Sequence, residues 1–267
     1  MFGRRDFVFP PKCREAGTDY ILITDDSRLE VEGWRSWTVD ISDWGNATLA
    51  NRYYKFFAQH FFTECDVSLY LDGNLRIVGP LQSVFDEFTA SRACLGLKKH
   101  PFRRNVAEEI DQCTRSMKLA EPNRAHAELA YYRQQGFDDS PRLTENNVLL
   151  RNHRHSALAP AMELWWHCFS RFETRDQLSL PFVRWRTGVP CHLFGFDVRP
   201  PNPFFHYYRH RTPLLRSNLL RYCEARMPDH GIFRLLFSLG HPFENLARNS
   251  EVWRTSSVMT PPSLRQD

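Results

Sequence analysis

Asp66-Val67-Ser68-Leu69-Tyr70-Leu71-Asp72-Gly73-Asn74 is the stretch from which the rest of the chain is read. Val67 to Leu71 predicts a short buried strand that stops at an Asp-Gly-Asn turn. Toward the N-terminus, Tyr20-Ile21-Leu22-Ile23-Thr24 is a second such run and ends in Asp25-Asp26, and Trp37 to Ile41 reads as another strand. Toward the C-terminus, Val148-Leu149-Leu150 is a fourth. Helices are predicted over 51–62, 80–91, 105–118, 122–135, 158–170 and 176–185; the one at 122–135 opens after Glu121-Pro122 and closes at Gly136. Strands alternating with helices predict an α/β sandwich around a mostly parallel sheet. Ligands of such sheets gather at the carboxyl ends of the strands. Asp25-Asp26 and Asp72-Gly73-Asn74 both fall at such ends.

The chain has 267 residues with 35 basic and 31 acidic side chains, a formal net charge of +4. Thirty of the basic residues are Arg and five are Lys. Residues 199–267 hold ten Arg against five acids, which leaves residues 1–198 close to neutral. That asymmetry argues against a protein that coats nucleic acid, where positive charge pervades the chain. Arg richness fits a GC-rich genome, and equally a protein that grips phosphate or carboxylate with the guanidinium fork. The seven cysteines are scattered without a CxxC pair, which suits a reducing cytosol and neither a disulfide framework nor a zinc site. No apolar run approaches the roughly 18–20 residues of a membrane span, and the first residues lack a secretory signal. The expected compartment is cytoplasmic. From residue 199 the composition changes to Pro, aromatics and Arg, giving an expected division into a body at 1–198 and a basic, aromatic C-terminal extension at 199–267 whose last residues look frayed.

Several motifs carry chemistry. A carboxylate that ends a buried strand and is followed by Gly can hold a hard cation or a ribose, as Asp72 would; the competing reading is a plain hairpin turn. Asp176 stands either as a helix N-cap or as an acid near a sugar. Arg52, Lys55 and Gln59 share one helix face. Lys99-His100-Pro101-Phe102-Arg103-Arg104 precedes a helix, so it is either an anion cradle at a helix N-terminus or a solvated loop. His153 and His155 lack a third ligand nearby, and no zinc site is expected there. No Gly-x-Ser-x-Gly, Walker loop or Gly-x-Gly-x-x-Gly occurs, which removes the usual support for hydrolase, kinase and dehydrogenase readings.

The order of short motifs matches a family. The series runs Phe-Gly-Arg-Arg-Asp at 2–6, Ile-Thr-Asp-Asp at 23–26, Trp-x-x-Trp-Thr-Val at 34–39, Asn-Arg-x-x-Lys at 51–55 and Asp-Val-Ser-Leu-Tyr-Leu-Asp-Gly-Asn at 66–74. It continues with Lys-His-Pro-Phe-Arg at 99–103, Ala-Glu-Glu at 107–109, Tyr-x-x-Gln-Gly-Phe at 132–137 and Leu-x-Glu-Asn-Asn-Val-Leu-Leu-Arg at 143–151. Trp-Trp at 165–166 and Arg-Asp-Gln-Leu-Ser-Leu at 175–180 complete it. Over residues 2–190 the chain resembles the TOD/MUCI-type glycosyltransferase-like domain family, which has plant and bacterial members.

The resemblance implies a GT-A-like nucleotide-diphospho-sugar transferase fold with a C-terminal helical extension. The family carries a first β-strand ahead of the position of Phe2; either the start of the sequence is set late, or this copy lacks that strand and part of the donor site. By position, the resemblance puts Asp25 near the donor nucleotide and turns Arg52 and Lys55 to the diphosphate. Asp72 and Asn74 would stand where other GT-A enzymes keep an Asp-x-Asp, with Asp72 the ligand of a Mn²⁺ or Mg²⁺ ion. Asp176 and Gln177 would flank the transferred sugar, and His100, Arg103 and Glu109 would shape the pocket. The family pattern also has Gln near Glu128. The expected function is transfer of a sugar from a nucleotide-diphosphate donor to a saccharide or lipid-linked acceptor in surface-polysaccharide synthesis, with Asp72 and Asp176 catalytic. Residues 199–237 would touch a membrane peripherally, the competing reading being a helical cap. The alternative function is an inactive sugar-nucleotide or glycan-binding module, or a partner subunit of a glycan synthase.

Overall fold

The computed structural model describes residues 1–3, 5–172, 174–212 and 215–242. The expected frayed tail lies outside the described residues. The chain divides into two compact units, one of residues 1–4 and 8–207 and the other of residues 5–7 and 208–267.

The first unit is mixed α/β. Strands β1 (Ile21–Thr24) and β2 (Arg35–Thr38) pair in parallel as a small sheet of their own. Helices α1 (Ala47–Phe56) and α2 (Ala58–Phe61) follow, and Asn46 caps α1 by accepting from the Leu49 N–H at 2.8 Å. Strand β3 (Val67–Leu71) leads through Asp72-Gly73-Asn74 into β4 (Leu75–Ile77), then come α3 (Gln82–Ser91) and β5 (Leu95–Lys99). Helices α4 (Val106–Arg115) and α5 (Pro122–Gln134) precede the nine-residue β6 (Thr144–Asn152). Helices α6 (Leu158–Phe172) and α7 (Asp176–Thr187) precede β7 (Cys191–Phe194), and β8 (Phe205–Tyr207) pairs antiparallel with β4.

The central sheet has the order β3-β6-β5-β7. It is not the mostly parallel sheet that alternation of strands and helices predicts. β6 runs antiparallel to both β3 and β5, and only β5 and β7 are parallel. The cause is helix parity. One helix packed on a sheet returns the chain to the end where the strand began, so the next strand is parallel. Two helices in succession, as α4–α5 before β6 and α6–α7 before β7, bring it back to the other end and reverse the strand. The carboxyl ends of β3, β5 and β7 therefore share one edge with the start of β6.

Side chains on the two faces of this sheet enter different cores. Leu95, Leu97 and Leu149 pack with Trp165, Phe56, Ile110 and Tyr132 from the helices on one face. Val148 and Leu150 pack with Val84, Phe88, Phe194 and Phe205 on the other. Each such side chain contributes roughly 1.5–3 kcal/mol on full burial. Between Leu95 and Leu97 the second face has no room for a side chain. A Cβ at Gly96 would lie 2.8 Å from Phe88 and 2.9 Å from both Leu150 and Phe194.

The β5–β6 pairing slips at its carboxyl-edge end. Leu97 is opposite Leu149, but Lys98 is opposite Glu145, so Asn146, Asn147 and Val148 bulge out of that ladder. Bulges free backbone groups and re-aim side chains, and they are common beside active sites. In the second unit, α8 (Leu215–Arg226) and residues 231–242 are helical. Among the described residues, no helix is long and apolar enough to cross a membrane.

Candidate active site

The β6 bulge and the end of β3 build the candidate site together. The β3–β6 ladder extends one step past the strand, with the Asp72 N–H donating to the Asn147 carbonyl at 2.9 Å. Asp72 lies two residues beyond Tyr70 and so faces the same side, and the Tyr70 hydroxyl donates to Asp72 Oδ1 at 2.9 Å. β3 and β4 belong to different sheets, so Asp72-Gly73-Asn74 is a turn between sheets and not a hairpin. Asp72 is half-buried there and Asn74 buried.

The carbonyl that the bulge frees at Asn146 accepts from Lys55 Nζ at 2.7 Å. The same ammonium donates to Asp176 Oδ2 at 2.5 Å and lies 4.7 Å from the centre of the Tyr70 ring. Arg52, one turn before Lys55 on α1, has its Nε 3.5 Å from the same Asp176 oxygen. Asp176 is the first residue of α7 and does not cap it; the cap position is Arg175, which makes no side-chain cap bond. The Asp176 backbone is fixed separately, because its carbonyl accepts from Trp165 Nε1 at 3.1 Å and from the Asn146 side-chain amide at 3.2 Å. Gln177 Nε2 donates to the Thr144 carbonyl at 3.2 Å, and its Oε1 accepts from Arg175 at 2.5 Å.

The electrostatics follow from this packing. Burial alone would raise the Asp176 pKa, but Arg52 and Lys55 outweigh it and hold the carboxyl at about 2. Asp176 is therefore an anion at neutral pH. Burial lowers the Lys55 pKa despite Asp176 and Asp72, and burial beside Asp72 pushes the Tyr70 phenol well up. Lys55 is only 1% exposed and is committed to Asn146 and Asp176. Arg52 is 22% exposed, and its buried Nε has no hydrogen-bond partner. The Asn147 side-chain oxygen is likewise buried without one. Native proteins leave few buried polar atoms unpaired.

A second network lies on the other side of the bulge. Glu145 accepts from Lys98 through Oε2 and takes both ends of the Arg199 guanidinium, at 2.6 and 3.1 Å. Arg199 also donates to Asp197 at 2.9 Å. Two paired cations outweigh the burial that would raise its pKa, and Glu145 falls to about 2. His100 Nε2 is 3.7 Å from Glu145 and 3.9 Å from Glu109, whose carboxylate also accepts from Arg103. Burial, then the Arg103 charge, lowers the His100 pKa to about 4, so the ring is neutral.

Sequence reasoning therefore placed Arg52, Lys55, Asp72, Asp176 and Gln177 on elements that meet, and His100, Arg103 and Glu109 in the network beside them. Asp25 makes a different contact. It sits at the end of β1, and its carboxylate accepts from the Gly3 N–H at 3.0 and 3.2 Å. The basic loop at 99–104 is not an open anion cradle. The first amides of α4, on Val106 and Ala107, already donate to the Asp139 carboxylate at 2.9 and 3.0 Å. Glu145, Lys98, Arg199 and Asp197 went unnoticed, although Glu145 stands inside the quoted 143–151 motif. Among the described residues, no group of three His, Cys, Asp or Glu side chains is placed to hold a metal ion. Asp72 offers one carboxylate, so a cation there would draw its remaining oxygens from a ligand and water.

Comparison with curated proteins yields no match. Among solved structures, mouse xyloside xylosyltransferase 1 in its apo form aligns over 65% of this chain and 70% of its own, at 12% identity and a TM-score of 0.35. The family model of the TOD1/MUCI70, glycosyltransferase-like domain matches residues 18–210, most of the chain and all of the site except the N-terminal residues beside Asp25. The chain belongs to the TOD1/MUCI70 glycosyltransferase-like domain family.

Proposed function

We propose that the protein is a glycosyltransferase of GT-A-like architecture that moves a sugar from a nucleotide-diphosphate donor to a saccharide or lipid-linked acceptor during polysaccharide synthesis. One observation carries the reading: an ionised, buried Asp176 meets an incompletely paired Arg52 beside Asp72 at the carboxyl edge of the sheet. Arg52, whose side chain is 22% exposed, brings its positive charge to the diphosphate, where negative charge grows as the sugar departs. With a pKa near 2, Asp176 cannot give up a proton at neutral pH. It accepts from a sugar hydroxyl and stabilises positive charge at the anomeric carbon, as carboxylates do for oxocarbenium-like transition states. Lys55 acts one step back, holding Asp176 and the Asn146 carbonyl in place.

Asp72 binds the donor, through the ribose or as one oxygen ligand of Mn²⁺ or Mg²⁺; such an ion would supply charge neutralisation at the diphosphate. Asn74 and Gln177 border the donor, Asp25 lies toward its nucleotide, and His100, Arg103 and Glu109 form the adjoining wall. A cytoplasmic enzyme with a lipid-linked acceptor needs a membrane-facing surface. In the second unit Ile232, Leu235, Leu236 and Leu239 are all exposed, at i, i+3, i+4 and i+7 of a helical stretch. Arg outnumbers acids two to one over 199–267, so an anionic lipid surface is the partner that fits.

The test is thermal stabilisation by UDP-, GDP-, CMP- and dTDP-sugars, with and without Mn²⁺, followed by assay of sugar release. Stabilisation by one donor with slow hydrolysis is the expected result. Binding without turnover would favour the alternative, a sugar-nucleotide-binding module, which the single carboxylate of Asp72-Gly73-Asn74 favours. No stabilisation by any donor would remove both.

A further inference from the structure

A cavity of about 300 Å³ opens beside the site, between the start of α1, the α4–α5 connection and the segment leading into α7. Its lining is chemically lopsided. Lys118, Arg124 and Arg175 contribute three cations, against one carboxylate, Glu121. Glu121 is already paired with Arg124 at 3.4 Å, and both side chains are largely exposed, so that pair contributes little. The net lining charge is positive.

Arg175 supplies the second observation. Its terminal nitrogen reaches Gln177 and lies 3.7 Å from Glu109, but its buried Nε has no hydrogen-bond partner. Arg175 is 33% exposed and brings its positive charge to the cavity wall. Asn46 and Thr48 add the first turn of α1, which holds no acidic side chain to meet the positive end of the helix. Leu49, Leu119 and Phe169 make the remaining wall apolar. A lining that combines cations and polar side chains with apolar ones suits a sugar ring, which has polar edges and C–H faces. The volume is at the low end of the roughly 300–1,000 Å³ of small-molecule sites, enough for a compact sugar and small for a whole nucleotide sugar.

The cavity is joined to the candidate site by sequence. Thr174 and Arg175 line it, and the next residue is Asp176. We propose that this cavity is the acceptor subsite and that it takes a sugar unit bearing an anionic group, a carboxylate or a phosphate. The name acceptor rests on the glycosyltransferase reading; the anionic-sugar specificity rests on the cavity alone.

The experiment is an NMR titration of the full chain, labelled with ¹⁵N, with glucuronate, glucose 6-phosphate, glucose and inorganic phosphate. It is repeated on Lys118→Glu/Arg124→Glu, two exposed positions whose change leaves the core untouched. The expected result is that one or both anionic sugars bind at least tenfold more tightly than glucose, with shifts at Thr48 and Lys118, and that the double variant loses at least tenfold in that affinity. The tighter of the two identifies carboxylate or phosphate as the group. Equal affinity for glucose and the anionic sugars, or unchanged binding by the variant, would overturn the proposal. Inorganic phosphate binding as tightly as glucose 6-phosphate would also overturn it, since the cavity would then be an anion site only. A nucleotide-sugar thermal-shift series on the same samples keeps the two readings apart. Donor stabilisation without anionic-sugar binding ends the subsite alone, whereas anionic-sugar binding without donor stabilisation upholds the sugar specificity and ends the donor reading.

Discussion

Two buried charge networks flank the same bulge in β6, and they are built from nearly the same residue types. On one side Lys98 and Arg199 hold Glu145; on the other Lys55 and Arg52 hold Asp176. Both carboxylates sit near a pKa of 2. The difference is closure. Glu145 has both oxygens engaged, by Lys98 and a two-pronged Arg199, and so clamps the 197–199 segment to β5 and β6. Asp176 accepts one hydrogen bond, from Lys55 through Oδ2, and Arg52 Nε stands 3.5 Å from that same oxygen without a hydrogen bond. Buried ion pairs are therefore not in themselves marks of a site.

The largest expected effect breaks the closed side. Glu145→Ala leaves the buried Lys98 with only Asp197, 3.8 Å away, and should cost about 3–5 kcal/mol of stability, measured by urea unfolding. A loss below 1 kcal/mol would mean that the clamp is not structural. Next comes the open side. Asp176→Asn should lower turnover by about 10²–10³-fold, with donor affinity retained, because Arg52 and Asp72 remain.

Acid separates the wild type from both variants. Each carboxylate has its folded pKa depressed to about 2 from ordinary values of 3.8 and 4.5. Each contributes stability that is complete above the ordinary value and lost as pH falls toward 2. Stability of the wild type should drop steeply between pH 4.5 and 2, and Asp176→Asn should drop less steeply over the same range.

Glu128 supplies the contrary case, a buried carboxyl with no cation. Burial raises its pKa to about 7, against the hydrogen bonds it accepts from Thr174 and Tyr132. A raised acid favours the fold at low pH and disfavours it as pH rises from 4.5 through 7. Glu128→Gln, the residue type the family resemblance has nearby, should stabilise the protein by about 2–3 kcal/mol at pH 8. The gain should vanish near pH 4.5. Equal stability of variant and wild type at pH 8 would place the charge elsewhere.

Much of this was legible in the sequence, for identifiable reasons. β3 and α5 declare themselves, β3 by an apolar run that ends in Asp-Gly-Asn and α5 by Pro122 at its start and Gly136 just past its end. Arg52 and Lys55 lie three residues apart, so one helix face brings both to Asp176. β5 was missed because Leu95-Gly96-Leu97-Lys98-Lys99 contains a Gly and two Lys, features of loops. Tertiary packing explains both, since Gly96 lies under Phe88 and Lys98 is buried against Glu145. Alternation of strands and helices does not by itself give the strand directions, which depend on whether one helix or two separate the strands. The bulge, which frees the Asn146 carbonyl for Lys55, has no local signature: it exists only in the register between β5 and β6.

The most direct test of the central claim is the rate of sugar release from whichever nucleotide sugar stabilises the protein, for wild type and Asp72→Ala at equal folded fraction. Asp72 is half-buried and its substitution should change stability by less than about 1 kcal/mol. The expected result is donor turnover by the wild type and its loss in Asp72→Ala. Turnover equal in the two proteins would contradict the account.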